Sequence, residues 1–153
     1  MRISRKTIQT LLIILLSFSL FIVFSKYDSM QKRVDQVFIT AINDSTSGLA
    51  KDYSKLSYDE KIKSYYQTVH GLKTAQNIFH LTSYKKHEGI FQVLNGLYIY
   101  LLRYDNRNDD YEIEDKPYIY DTIWKIIWQP ENKELVKEFN EFIEDKKKAL
   151  NIN

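Results

Sequence analysis

The chain predicts an all-α protein: an N-terminal transmembrane helix continuing into a small extracytoplasmic bundle of about four to five helices. Three observations lead there. An uninterrupted apolar run, Leu11 to Phe24, follows Arg2, Arg5 and Lys6. Only 4 Gly and 2 Pro punctuate 153 residues, and candidate strands are few. Beyond the run, apolar residues recur at helical spacings almost to the C-terminus.

The run, extended over small polar residues, reaches from Thr7 to Ser25, 19 residues without a charge. At about 1.5 Å per residue that length just crosses a hydrocarbon core of roughly 30 Å. Ser17 and Ser19 can return their hydroxyls to the helix backbone and so cost little in lipid. Basic residues precede the run without an acid, whereas Lys26 and Asp28 nearly cancel after it. The positive-inside bias therefore predicts a cytoplasmic N-terminus and export of residues 26–153. The expected organisation is a flank and signal anchor over 1–25 and a helical domain over 26–153, in a single-pass protein of the cell membrane. Val23 and Ser25 are small enough for signal-peptidase cleavage before Lys26, without the usual A-x-A pattern. The sequence after Lys26 is helix-compatible, with no Gly or Pro before Gly48, which favours an uncleaved anchor.

The first helix is expected from about Ser4 to about Asn43. Val23, Tyr27, Met30, Val34, Val37 and Ala41 form a seam of period 3.5 that leaves the membrane without losing phase, and Phe38 and Ile42 widen it. This seam is the first candidate interaction surface. The polar cluster Asn43 to Gly48 predicts a stop. Leu49, Tyr53 and Leu56 suit a short helical turn. Ser57-Tyr58-Asp59-Glu60 is a capping box that opens a helix running to about Leu81, with Tyr58, Ile62, Tyr65, Tyr66, Val69, Leu72 and Phe79 on one broad face.

A link over 82–86 leads to a helix from about Glu88 to Tyr104. It is apolar most of the way round, which predicts the most buried helix of the bundle. As a second membrane span it falls short, because its uncharged stretch Gly89–Leu102 holds 14 residues. Gly71 and Gly96, inside helices, mark close helix–helix approaches. Asp105 to Lys116 reads as an acidic, solvated loop. Pro117 starts a short helix, Tyr118 to Trp128. Pro130 breaks it and suits the first turn of the last helix, which buries Leu135, Val136, Phe139, Phe142, Ile143 and Leu150. Glu131 and Glu134 at its start and Lys146, Lys147 and Lys148 at its end match the macrodipole.

Charge narrows the function classes. Without Arg2, Arg5 and Lys6, 19 basic residues face all 20 acidic ones, a net charge of −1 for the exported part. The basic pI belongs to the targeting segment, so nucleic acid is not an expected partner. There is no cysteine, hence neither disulfide nor thiolate chemistry. The richness in Lys, Asn, Ile and Tyr goes with AT-rich Gram-positive genomes.

No catalytic or metal signature emerges. A calcium loop counted from Asp105 would put Arg107 at position 3 and Lys116 at position 12; counted from Asn106 it ends on Pro117. His80 and His87 are two helical turns apart, about 10 Å, and His70 has no partner at i, i+4. Nucleophile elbow and phosphate loop are both absent from the four-glycine sequence. No cofactor and no metal are expected.

Aromatic residues are the other lead. Tyr98, Tyr100, Tyr104, Tyr118, Tyr120, Trp124 and Trp128 flank the acidic loop. Core packing is the default for them; Tyr100, Tyr104, Tyr118, Tyr120, Trp124 and Trp128 form the candidate exposed patch. The sequence thus favours a membrane-anchored, non-enzymatic module that binds another protein or a second copy through the anchor-proximal helix, or senses at the envelope. The alternative is a secreted helical protein, cleaved near Ser25, that binds a lipid, peptide or wall fragment.

Overall fold

A computed structural model describes residues 5–104, 111 and 113–151, without the side chains of residues 5–7 and 104. It is all-helical, with no strand among the described residues. Five helices follow one another: α1 (Arg5–Leu49), α2 (Tyr58–Ile78), α3 (Glu88–Tyr104), α4 (Lys116–Trp128) and α5 (Lys133–Ala149). Short 3-10 turns at Tyr53–Lys55, Phe79–Leu81 and Ser83–Lys86 join the first three.

α1 is a single unbroken helix of 45 residues. Its apolar N-terminal part is long and apolar enough to cross a membrane, and none of that stretch is buried by the other described residues. Ser19 Oγ donates to the Leu15 carbonyl at 2.9 Å, which hides its polarity within the helix. Among the described residues no other helix meets the length and composition needed for a span.

The polar cluster after Ile42 does not stop α1, which runs on to Leu49. The hydroxyls expected to break it bond back to its own backbone instead: Thr46 Oγ1 to the Ile42 carbonyl and Ser47 Oγ to the Asp44 carbonyl, both at 2.9 Å. Burial completes the explanation, since Ser45, Thr46 and Gly48 all lie inside, Ser45 and Gly48 against α2. Packing has overridden a weak local preference.

α2 returns antiparallel along α1 on a strip of small residues. Ala41, Ser45 and Gly48 of α1 meet Ser64, Thr68 and Gly71 of α2. A Cβ on Gly71 would fall 2.5 Å from the Ser45 amide nitrogen and 2.7 Å from the Ala41 carbonyl oxygen. One on Gly48 would overlap Thr68 Oγ1 and the Ser64 carbonyl. Ser45 Oγ is buried in this contact with no hydrogen-bond partner among the described residues. The capping box is formed: Glu60 N donates to Ser57 Oγ at 3.4 Å and Ser57 N donates to Glu60 Oε2 at 2.9 Å. α2 ends at Ile78, three residues before Leu81, and tightens into the Phe79–Leu81 turn.

The five helices close a ring, α1 against α2 and α4, α2 against α3, α3 against α5, and α5 against α4. α3 and α5 run parallel. Gly89 faces Val136 and Gly96 faces Ile143, with the same seven-residue step on both helices. Phe38, Ile42, Leu72, Phe79, Leu94, Leu97, Ile119, Ile123, Phe139 and Ile143 fill the interior. α3 contributes Ile90, Val93, Leu94, Leu97, Tyr100 and Leu101, all buried, as its all-round apolarity predicts.

Three further points differ from the sequence reading. α4 starts at Lys116, two residues before Tyr118, with Pro117 in its first turn where no amide is needed. Pro130 lies in the turn before α5, not in the helix; Asn132 is the cap, its Oδ1 accepting from Leu135 N at 3.1 Å. Lastly, the segment between α3 and α4 is not simply solvated. Most of it lies outside the described residues, but Ile113 is buried in the core and Tyr111 packs on Tyr58, Tyr65 and Tyr66.

Candidate interaction surfaces

The seam on α1 is divided by the fold. Ala41 is 4% exposed, closed over by α2, and Val34 is half-buried. Val23, Tyr27, Met30 and Val37 stay open at 62%, 63%, 65% and 53% exposure. The reason is length. α2 pairs with α1 from Gly48 down to about Asp35, and the turns after Ile78 end the pairing: Gln31 Nε2 donates to the Leu81 carbonyl at 3.0 Å and Ser83 N to Asp35 Oδ1 at 2.8 Å. Below Gln31 none of the described residues covers α1.

The open seam does not simply fade at the bundle. Val37 and Ala41 also line a shallow groove between α1 and α2, of about 420 Å³, with Thr40, Asp44, Gln67, His70, Gly71 and Thr74. Closer to the apolar run, Met30 sits in a depression with Lys26, Ser29 and Arg33. The exposed strip is therefore apolar along its middle and basic along one edge. Sequence reasoning missed the groove. Its signal was the small residues spaced three and four apart, Ala41, Ser45 and Gly48 facing Ser64, Thr68 and Gly71, which set two helices close enough to leave a furrow beside them.

The six aromatic candidates do not share a surface. Tyr100 is in the core. The Tyr104 side chain lies outside the described residues. Tyr118 packs edge-on against Phe139 and Phe142, at ring separations of 5.9 and 4.8 Å, on the α5 side of α4. Tyr120 lines a different hollow, with Leu49, Lys51, Asp52 and Lys116 at the end of α1. Only Trp124 and Trp128 remain together, stacked at 6.1 Å, and Trp128 is 70% exposed. Two residues along a helix are about 200° around it, so Tyr118 and Tyr120 point apart.

The histidines are also separate. His70 lies in the α1–α2 groove, His80 against the rings of Phe79 and Phe91, and His87 beside Glu131 at 3.9 Å. No group of three metal-ligating side chains occurs among the described residues. A hollow of about 980 Å³ lies along α3 and α5 between His87 and Lys148. Glu88, Glu141, Glu144 and Asp145 alternate there with Lys133, Lys137 and Lys148, so it offers no field of one sign.

In the last turn of α5, Lys146 Nζ bridges Asp115 at 2.5 Å and Glu114 at 3.2 Å. The Asp115 carboxylate holds the Lys146 ammonium above its ordinary range. This pair clamps the start of α4 to α5. Its role is structural.

No family model, no curated protein and no solved structure matches this chain.

Proposed function

We propose that this protein is a membrane-anchored extracytoplasmic helical module that acts through protein–protein contact at the cell envelope, and not by catalysis. One observation carries the reading: the apolar seam of α1 continues past the candidate span, and its Val23, Tyr27, Met30 and Val37 are left open by the chain's own bundle. A helix whose stripe passes from lipid into water needs a second helix beside it. α2 meets that need only at the upper end. A helix rising from the same membrane can follow the strip below and enter the groove beside Val37 and Ala41.

The chemistry of the strip describes the occupant. It is a parallel helix with apolar residues at heptad spacing, and acidic residues on the flank that meets Lys26 and Arg33. The unbroken helix between membrane and bundle holds this surface at a fixed height and orientation, which a flexible tether would not do.

Photo-crosslinking residues placed at Met30 and at Val37, in native membranes, test the proposal. The expected product is an adduct heavier than the chain, at both positions. Links confined to the same chain, or none, refute a partner on this face. Repeating the reaction on purified protein in vesicles separates a second copy, which still crosslinks, from a different membrane protein, which does not.

A further inference from the structure

The turn between α2 and α3 lies at the end of the bundle nearer the apolar run, beside Gln31 and Asp35 of α1. Gln31 stands about 9 Å along α1 from Ser25, at roughly 1.5 Å per residue. The headgroup layer of one leaflet is about 5–7 Å deep. The hydrogen bonds from Gln31 to the Leu81 carbonyl and from Ser83 N to Asp35 hold the turn about 2–4 Å beyond that layer, within reach of its side chains. Leu81 is 64% exposed, although its neighbours Phe79 and Thr82 are completely buried. Leu81 is thus held outward by an ordered turn. Lys85 and Lys86 follow it, both exposed; no acid occurs from Phe79 to His87, although Glu88 and Glu131 share a hollow with Lys86 on its α5 side. On α1 alongside, Asp28 is already paired with Lys32 at 2.7 Å, and Asp35 is occupied by Ser83 N and Gln31.

We propose that this turn is a second lipid contact: Leu81 enters the headgroup layer of the bilayer and Lys85 and Lys86 engage anionic lipid phosphates. An apolar side chain flanked by lysines is what that layer accepts, the lysine stems lying along apolar surface and the ammonium groups among phosphates. With α1 as the first attachment and the turn as the second, the bundle is fixed in tilt and rotation as well as in height. The inference rests on the proposed membrane anchoring.

The absence of cysteine makes single-site labelling clean. Full-length Leu81→Cys and Phe18→Cys chains, each carrying an environment-sensitive fluorophore, are reconstituted into phosphatidylcholine–phosphatidylglycerol vesicles. The expected result is a blue shift at position 81 with quenching by headgroup-labelled lipid, lost largely on Lys85→Glu/Lys86→Glu substitution, and quenching at position 18 by a label deep in the acyl chains. Position 18 quenched and position 81 open to aqueous iodide overturns the lipid contact while leaving the anchor intact. Position 18 unquenched overturns the anchoring, and the inference with it. A blue shift at position 81 that persists in detergent and grows with protein concentration assigns the turn to a second copy and also overturns the proposal.

Discussion

Gly71 of α2 faces Ser45 of α1 so closely that a methyl group at Gly71 would lie 2.5 Å from the Ser45 amide nitrogen and 2.7 Å from its Cβ. The atoms in the way are largely backbone of a long helix, which cannot yield as a side chain can. This contact sets the spacing of α1 and α2, and through it the furrow that continues the open seam.

The glycines should therefore rank by what stands opposite them. Gly71→Ala is expected to destabilise the bundle by about 1–3 kcal/mol, the usual cost of overpacking. Gly89→Ala meets Val136 Cγ1 at 2.6 Å, a β-branched side chain stiff at χ1 but able to shift more than helix backbone, and should cost somewhat less. Gly96→Ala comes 3.3 Å from Ile143 Cγ2 and also gains about 0.5–1 kcal/mol of helix propensity, so it should be close to neutral. Denaturant unfolding of the three full-length variants in detergent, followed by circular dichroism, gives the order. Equal losses would mean that the α1–α2 approach is not rigid.

Ile113 anchors the acidic segment to the core, 1% exposed amid charged neighbours. Ile113→Ala should cost about 2–4 kcal/mol, within the range for large-to-small core changes. Replacing Glu114, which is exposed, with Gln should cost under about 1 kcal/mol even though it removes a partner of Lys146. The same unfolding measurement compares them. An Ile113→Ala chain as stable as the Glu114→Gln chain would remove the anchor from this account.

Asp52 reports local order at the turn after α1. Lys55, at 2.8 Å, is the main cause that holds its carboxyl down to about 2, helped by the Ser54 hydroxyl at 2.6 Å. A folded-state value below the unfolded one adds stability that is complete above about 3.8 and fades as pH falls toward 2. The group is fully exposed, so the effect should shrink as salt rises. In a carboxyl carbon NMR titration, Lys55→Ala should move the Asp52 midpoint up toward the ordinary value. An unmoved midpoint would mean that the pair does not form in solution.

Local rules were the legible part of this sequence. The Ser57–Glu60 cap and the all-round apolar α3 each depend on neighbours within a turn or two, and each is found where expected; Gly71 and Gly96, legible as glycines inside helices, both lie at helix–helix approaches. The end of α1 was not legible, because whether Thr46 and Ser47 stop a helix or bond back into it depends on α2. Tyr111 and Ile113 were hidden for a similar reason. Two apolar residues inside an acidic stretch have no periodicity, and only the tertiary fold gives them a pocket. As for the site, the seam could be read from its spacing, but not which half of it the chain would cover. That followed from where α2 ends, at Ile78.

The most direct test of the central claim is labelling of intact cells with a membrane-impermeant maleimide. Single cysteines are introduced at Lys137, exposed on α5, and at Ser4, ahead of the apolar run, in a chain that has none of its own. Full-length protein recovered with membranes, labelled at position 137 before lysis and at position 4 only after it, is the predicted outcome. Labelling of position 137 only after lysis, or recovery of the full-length chain in the soluble fraction, would contradict it.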